Sequence, residues 1–537
     1  MTTLLLRNGA VHSPADPFAT AMVVEDETIA WIGAEGAAAA HVDGVDHVVD
    51  LRGALVTPAF VDAHVHATAT GLASTGLDLT GVPSLAYALS ALEDHAKRNG
   101  LYGAGHVVLG HGWDDTAWPE GRPPTPAELD RATGGATVYL SRTDVHSAAC
   151  SPALLALVAG DHGDAPLAGD VHHAARAAAH AALTLADRAA AQRVARARAA
   201  ALGIGTVHEC GGPEIAGEAD FRQLLSLAAA EAGPDVVGYW GALAANADHA
   251  RELRADLGAH GLGGDLFIDG SLGSHTACLR DPYADEAGTG LTHIDPEQVA
   301  GHLAACTRAG IQAGFHAIGD AAIHSVTSAA RTLVQGPDGA AFRALRHRVE
   351  HAELLDDAAV AAFAELGLTA SVQPAFDAVW GGPDGMYVRR LGAERAARMN
   401  PLAALSAAGV PLAFGSDAPV TPLDPWGTIR AAAFHRTPEQ RISVRAAFAA
   451  HTRGGHRAAG RDDAGVLVPG APATYAVWDT TELVVQAPDS RLSGWSTDPR
   501  SGTPGLPDLA PDHPLPRCLR TSVRGTTVYE AADGTLR

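Results

Sequence analysis

Residues 58–67 read PAFVDAHVHA, an apolar run that opens on a proline and closes on His64 and His66 with one valine between them. On a strand, residues i and i+2 point to the same face, so both imidazoles can reach one metal ion without strain. In a chain with 27 histidines such a pair arises easily by chance, and its meaning depends on what ends the other strands. Seven further β-rich apolar runs alternate with Ala-rich helical stretches: GIGTVHE (203–209), DVVGYWGAL (235–243), GDLFIDG (264–270), IQAGFHAIGD (311–320), RHRVEHAE (346–353), LTASVQP (368–374) and PLAFGSD (411–417). Chemically loaded residues gather at the C-terminal ends of these runs, where a (β/α)8 barrel assembles its active site. The pattern predicts an α/β fold of this kind, a (β/α)8 TIM-like barrel. The rival is a doubly wound open sheet, whose usual ligand signal, a Gly-rich turn opening the first helix, is missing.

The flanks read differently. LLLRNGAVHS, TAMVVEDETIAWIG and VDHVVDLRGALVTP fill the first 57 residues with short alternating strands, and GVLVPGAPATYAVWD, TELVVQ and SVRGTTVYEA resume that style near the end. The two ends are expected to pair into one small β-sandwich domain, 1–57 with 460–537, flanking a barrel over 58–459. The stretch from about 70 to 200 is too long for one β-to-α connection and reads as a large insertion after strand 1. Within it, Val171 to Leu202 suggests an amphipathic helix whose arginines face water. The Pro-rich 499–516 reads as an irregular loop.

Lys and Arg number 38 against 61 Asp and Glu, a formal net charge of −23 that repels phosphate backbones and anionic headgroups, so neither nucleic acid nor membrane is an expected partner. The five cysteines are scattered without a CxxC pair, and the N-terminus lacks the basic and long apolar regions of a signal peptide. No stretch reaches the roughly 20 apolar residues of a membrane span. A reducing, cytoplasmic setting is expected.

His316 closes the run GIQAGF, His351 closes RHRVE, and Asp417 closes PLAFGS. A lone buried histidine is usually only a hydrogen-bonding residue, but four imidazoles and a carboxylate converging on one barrel mouth suit zinc, iron or manganese.

PAFVDAHVH, FHAIGD, RVEHAE and FGSDAPV together resemble the amidohydrolase superfamily of metal-dependent hydrolases. GHGWDDTAWP, the span from SRTDVHS, and DGSLGSHTACLRDPY resemble its N-substituted formamide deformylase-like branch, and the likeness runs nearly end to end. The resemblance implies a divalent metal cofactor, zinc first, with one or two ions. His64, His66 and Asp417 would hold the more buried ion, and His316 and His351 would complete the site. Asp417 would serve as general base toward the attacking water and then pass its proton to the leaving nitrogen. The resemblance also implies a homodimer.

One departure stands out. Many members bridge two metals through a carboxylated lysine at the end of the fourth strand, where this chain offers Asp265 in GDLFIDG. The single lysine, Lys97, lies in the insertion, which excludes such a bridge. Either Asp265 bridges two ions, or the site holds one ion with His316 as a ligand and His351 orienting the water or substrate. The shorter reach of aspartate favours one ion. Glu209, at the end of GIGTVHE, is a further ligand candidate or an ion-paired residue at the rim.

Substrate contacts are expected from DGSLGSHTA, where Asp269, Ser271 and His275 sit among glycines that let backbone N–H groups approach a ligand. Trp113 and Asp114 in GWDD, with Arg142, Asp144 and His146 in SRTDVH, either cap the pocket or pin the insertion. Trp380 and Tyr387 suggest an aromatic wall. These readings lead to a metal-dependent hydrolase cutting a carbon–nitrogen bond, other than a peptide bond, in a small amide or N-substituted formamide-like molecule. A deaminase of the same superfamily and a catalytically silent binding scaffold are the alternatives. A scaffold has no physical need for converging imidazoles.

Overall fold

A computed structural model describes residues 2–143, 147–160, 162–480, 482–486, 495–496, 503–532, 534 and 536. The chain forms two compact units, residues 1–67 with 196–537 and residues 68–195.

The first unit contains eight parallel strands: β1 (Phe60–Val65), β2 (Ile204–Gly211), β3 (Asp235–Trp240), β4 (Gly261–Leu262), β5 (Gly314–Ala317), β6 (Arg348–His351), β7 (Thr369–Val372) and β8 (Leu412–Phe414). They make two four-stranded sheets, ordered β4-β3-β2-β1 and β5-β6-β7-β8. Parallel bridges at Leu262–Ala313 and Val65–Ala418 connect β4 to the entry of β5 and the end of β1 to the residues after β8. Every residue of β1, β2, β5, β6 and β7 is buried, as expected for parallel strands covered on both faces. Helices between strands are set by local chemistry. Pro296–Ala309 starts at a capping box formed by Asp295 and Gln298 and ends at the left-handed Gly310.

The expected strand 264–270 is not one. Its two paired residues are Gly261 and Leu262, and the chain then turns inward through Gly263 and Gly264, touching β5 again at Phe267–His316. Gly264 has φ +77°, and a Cβ on Gly263 would lie 2.3 Å from the Gly314 nitrogen. The glycines allow this close backbone approach, and the approach ends the regular ladder.

Both chain ends share a five-stranded sheet, in the order Ala10–Val11, Leu55–Pro58, Tyr475–Asp479, Arg517–Val523, Thr526–Glu530. A four-stranded sheet, Thr28–Gly33, Ala21–Glu25, Thr3–Arg7, His47–Asp50, accompanies it. Leu6, Met22 and Val56 pack with Tyr475, Val477 and Leu519 in one buried cluster. Trp478 joins this module to the parallel strands, with ring centroids 5.5 Å from Phe60 and 5.4 Å from Trp426. In the Pro-rich segment, Leu506–Pro507 pairs with Leu483–Val484, so its described part is not wholly irregular.

The second unit has a five-stranded sheet, ordered Leu167–Ala168, Ser147–Cys150, Thr137–Arg142, Val107–Trp113, Leu77–Asp78. The expected single helix after Val171 is two, Gly169–Ala181 and Leu185–Ala201. The break falls where the Thr184 and Asp187 side chains each accept the other's backbone N–H, a reciprocal cap that begins a new helix. Arg196 departs from the expected water-facing stripe. It is 4% exposed and donates to the carbonyls of Glu231 and Pro234. Among the described residues no helix is long and apolar enough to cross a membrane.

Candidate metal centre

The site lies at the C-terminal ends of the parallel strands. His64 and His66 share a face of β1 through its two-residue period, with His66 just past the strand. His316 comes from β5 and His351 ends β6. Strict alternation would turn His351 away from its neighbour Glu350, but His351 has φ +68°, and Asp417, three residues past β8, has φ +56°. Left-handed backbone at two non-glycine residues re-aims both side chains, a strain typical of functional sites. The Asp417 N–H is held on the His64 carbonyl at 2.8 Å.

Asp265 occupies the centre. Its Oδ2 lies 3.1 Å from His66 Nε2, and its Oδ1 lies 3.4, 3.4 and 3.6 Å from His64 Nε2, His316 Nδ1 and His351 Nε2. Asp417 Oδ1 lies 3.2 Å from His66 Nε2 and 3.6 Å from His64 Nε2. A short aspartate reaches all four imidazoles because the glycine turn brings its backbone inward.

This cluster fits a divalent cation. Nε2 of His64 and of His351 is buried with no hydrogen-bond partner, although carboxylate oxygens stand nearby. Donor atoms that share one ion through bonds of ~2.0–2.2 Å sit roughly 3–3.5 Å apart, the spacing seen here. Three donor groups meet at His64: His64 with His66 and Asp417, His64 with Asp265 and His351, and His64 with Cys210 and Glu350. Burial opposes charge on both carboxyls, yet the surrounding imidazoles hold Asp265 well below the usual range and lower Asp417 too. Burial likewise opposes protonation of His64, but Cys210, Asp265 and Asp417 raise it. The pocket is built for positive charge.

Glu209 is neither at the rim nor in any of these donor groups. It is 3% exposed, accepts the Ala67 N–H at 2.8 Å where the helix after β1 begins, and is pushed up to about 7 by burial. Asp269 is not open to a ligand: its carboxylate takes the N–H groups of Cys278, Ile318 and Gly319 at 2.8, 3.0 and 2.8 Å, pinning its loop beside β5. Ser271 is exposed, and its Oγ lies 3.0 Å from Ser274 Oγ. His275 pairs with Asp285 at 3.0 Å and Glu286 at 3.2 Å. The expected aromatics form a chain of contacts leading from the site: the His351 ring is parallel to Phe376, Phe376 contacts Trp380, and Trp380 meets Tyr387 edge-on, Tyr387 being buried with its hydroxyl donated to Glu353.

In the second unit, Trp113 is core rather than pocket, buried with its Nε1–H donated to the Leu140 carbonyl. Arg142 binds Asp114 at 2.9 Å and Asp115 at 3.2 Å, the pinning arrangement. Asp144 and His146 lie outside the described residues. Lys97 is on a surface helix of this unit, paired with Glu93.

Sequence reasoning passed over the groups behind the site. Glu350 Oε2 meets His64 Nδ1 at 3.0 Å, and Gln373 Oε1 meets His351 Nδ1 at 2.9 Å. Arg348 grips both oxygens of Glu350. Burial pushes Glu350 up, but Arg348 and His64 outweigh it and bring it to about 2. The signal was present in RVEH: an Arg and a Glu two apart on a wholly buried strand share one face and must be paired.

The chain belongs to the amidohydrolase family, whose match spans residues 47–529. It is a hydrolase of carbon–nitrogen bonds, and the family's chemistry depends on a divalent metal. The chain is 28% identical over 525 residues to the Arabidopsis thaliana protein LONG AFTER FAR-RED 3, covering 89% of this chain and 87% of that one. It is 29% identical over 180 residues to an N-substituted formamide deformylase of Arthrobacter pascens, covering 32% of each chain. Among solved structures, an uncharacterized metal-dependent hydrolase from Pyrococcus furiosus superposes with a TM-score of 0.74 at 25% identity, covering 89% of this chain and 99% of that one.

Proposed function

We propose that this chain hydrolyses the C–N bond of a small amide or N-substituted formamide at a metal site formed by His64, His66, His316, His351, Asp417 and Asp265. The observation that carries this reading is Asp265 within 3.6 Å of all four imidazoles, with Asp417 beside two of them. Asp265, placed among all four imidazoles, would serve as a carboxylate ligand to one or two divalent ions, zinc first among those that imidazole and carboxylate donors suit. A divalent ion there supplies Lewis acidity, which makes a water nucleophilic near neutral pH and polarises the scissile carbonyl.

The protein's own residues do the rest. Asp417 is ionised and fixed by its N–H bond to His64, so it takes a proton from the attacking water and returns it to the leaving nitrogen. Gln373 holds the His351 ring, fixing how His351 presents its other nitrogen to the site. Ser271 and His275 on the loop anchored by Asp269, with Trp380 on the aromatic path from His351, form the substrate contacts.

Several features support the architecture proposed with this function. The two strand-end bridges support closure of β1–β8 into a barrel over residues 58–459, with the second unit as its insertion. The shared five-stranded sheet supports a composite terminal domain of 1–57 and 460–537. Five free cysteines fit a reducing, cytoplasmic setting.

The test is metal per chain by elemental mass spectrometry on protein purified without added metal, with hydrolysis of p-nitroformanilide and related anilides measured alongside. One to two equivalents, lost in His64→Ala together with hydrolysis, is the expected result. No metal bound or taken up on titration overturns the reading.

A further inference from the structure

Arg348 and Glu350 form an ion pair at 0% side-chain exposure. A buried pair of this kind is a poor source of stability, because desolvation of both charges cancels much of their attraction, so its retention needs another reason. The surrounding contacts supply one. Besides gripping Glu350, the Arg348 guanidinium donates to the Ala63 carbonyl at 2.6 Å and to Ser371 Oγ at 2.8 Å, faces His208 Nδ1 at 3.1 Å, and lies 4.3 Å from the Tyr239 ring centre. These partners come from β1, β7, β2 and β3, and Ala63 immediately precedes His64. Arg348 is thus a brace across five strands, and Glu350 Oε2 in turn meets His64 Nδ1 at 3.0 Å, with Cys210 close by.

We propose that Glu350, clamped by Arg348, is the positioning residue of the metal centre: it accepts the His64 Nδ1–H, fixes that tautomer, and turns Nε2 toward Asp265 and Asp417. The inference rests on the metal-site reading above. Nε2 of His64 is the unpartnered atom facing the two carboxylates, as this tautomer requires. A carboxylate on the far nitrogen also makes the imidazole a stronger donor. The arrangement links strand register to ligand geometry, since Ala63 and His64 are held by two residues of β6, Arg348 and Glu350, that share one face.

The test is the zinc affinity of the full chain by chelator competition. Glu350→Gln keeps the shape but loses the charge, and is expected to bind zinc about 10- to 100-fold more weakly, with an altered visible spectrum of the cobalt-substituted protein. Ser371→Ala removes one Arg348 bond, leaves Glu350 on His64, and should stay within about twofold of the parent. A folded Glu350→Gln protein that matches the parent in affinity and spectrum overturns the proposal. Should Glu350→Gln fail to fold, 15N-histidine NMR of the zinc-loaded parent decides. A protonated Nδ1 signal missing in His64→Gln supports the proposal, and its absence from the parent overturns it. A parent that binds no zinc sinks the metal reading itself, a failure seen before any variant is made.

Discussion

The carboxylate of Asp265 meets the imidazole of His66 at 3.1 Å, although one follows β4 and the other β1. The contact exists because Gly263 and Gly264 bring the backbone inward before Asp265, so that a short carboxylate reaches the imidazole. Asp265→Ala should therefore cut the metal content of protein purified without added metal by about half or more. Elemental analysis showing unchanged content removes Asp265 from the ligand set.

The turn itself can be tested apart from the ligand. A Cβ on Gly263 would press against the backbone of Gly314, two residues before His316. Gly263→Ala should cost about 1–3 kcal/mol in urea unfolding, and should weaken metal binding because both Asp265 and His316 are displaced. Retention of stability and affinity together would show the close approach to be dispensable.

Asp417→Asn keeps the shape of the side chain but removes the base. Turnover of an anilide substrate should drop about 10²- to 10⁴-fold while most of the metal stays bound. Activity within about tenfold of the parent assigns the proton transfer to another group.

Acid stability follows from buried histidines outside the candidate donor set. His302 accepts the Ala244 N–H on Nδ1 and donates Nε2–H to the Leu262 carbonyl, an arrangement that only the neutral ring can make. Burial lowers it from 6.5 to about 4, and burial does the same to His451. The unfolded chain then binds more protons than the folded one between these values. Each ring contributes stability that is complete above about pH 6.5 and lost as the pH falls toward 4, up to about 3 kcal/mol. Urea midpoints measured across this window should fall with acidification, less steeply in His302→Gln. Equal slopes would mean His302 is not titrating there.

Several candidate donors were legible in the linear chain because strand geometry is local. The spacing of His64 and His66 alone places two imidazoles on one face, and His316, His351 and Asp417 each close a short apolar run. The run GDLFIDG misled in secondary structure while containing the carboxylate that stands among the imidazoles, since alternation cannot distinguish a strand from a glycine-led turn packed against one. Asp269 and Trp113 looked like ligand contacts because polar and aromatic residues in Gly-rich loops read alike whether they face solvent, backbone or core.

The sequence by itself determined the alternation of strands and helices, the pairing style of the two ends, the absence of a usable lysine, and the donor types available for a metal. These depend on residue identity and on periods of two and 3.6, which one segment carries alone. Only the tertiary structure decided that Asp265 is central, that Asp269 is spent on three backbone N–H groups, and that Arg348 and Glu350 stand behind His64. Those facts depend on which segments approach one another and how closely, and they are fixed by packing between strands distant in sequence, by the backbone contact at Gly263 and Gly314, and by the left-handed turns at His351 and Asp417.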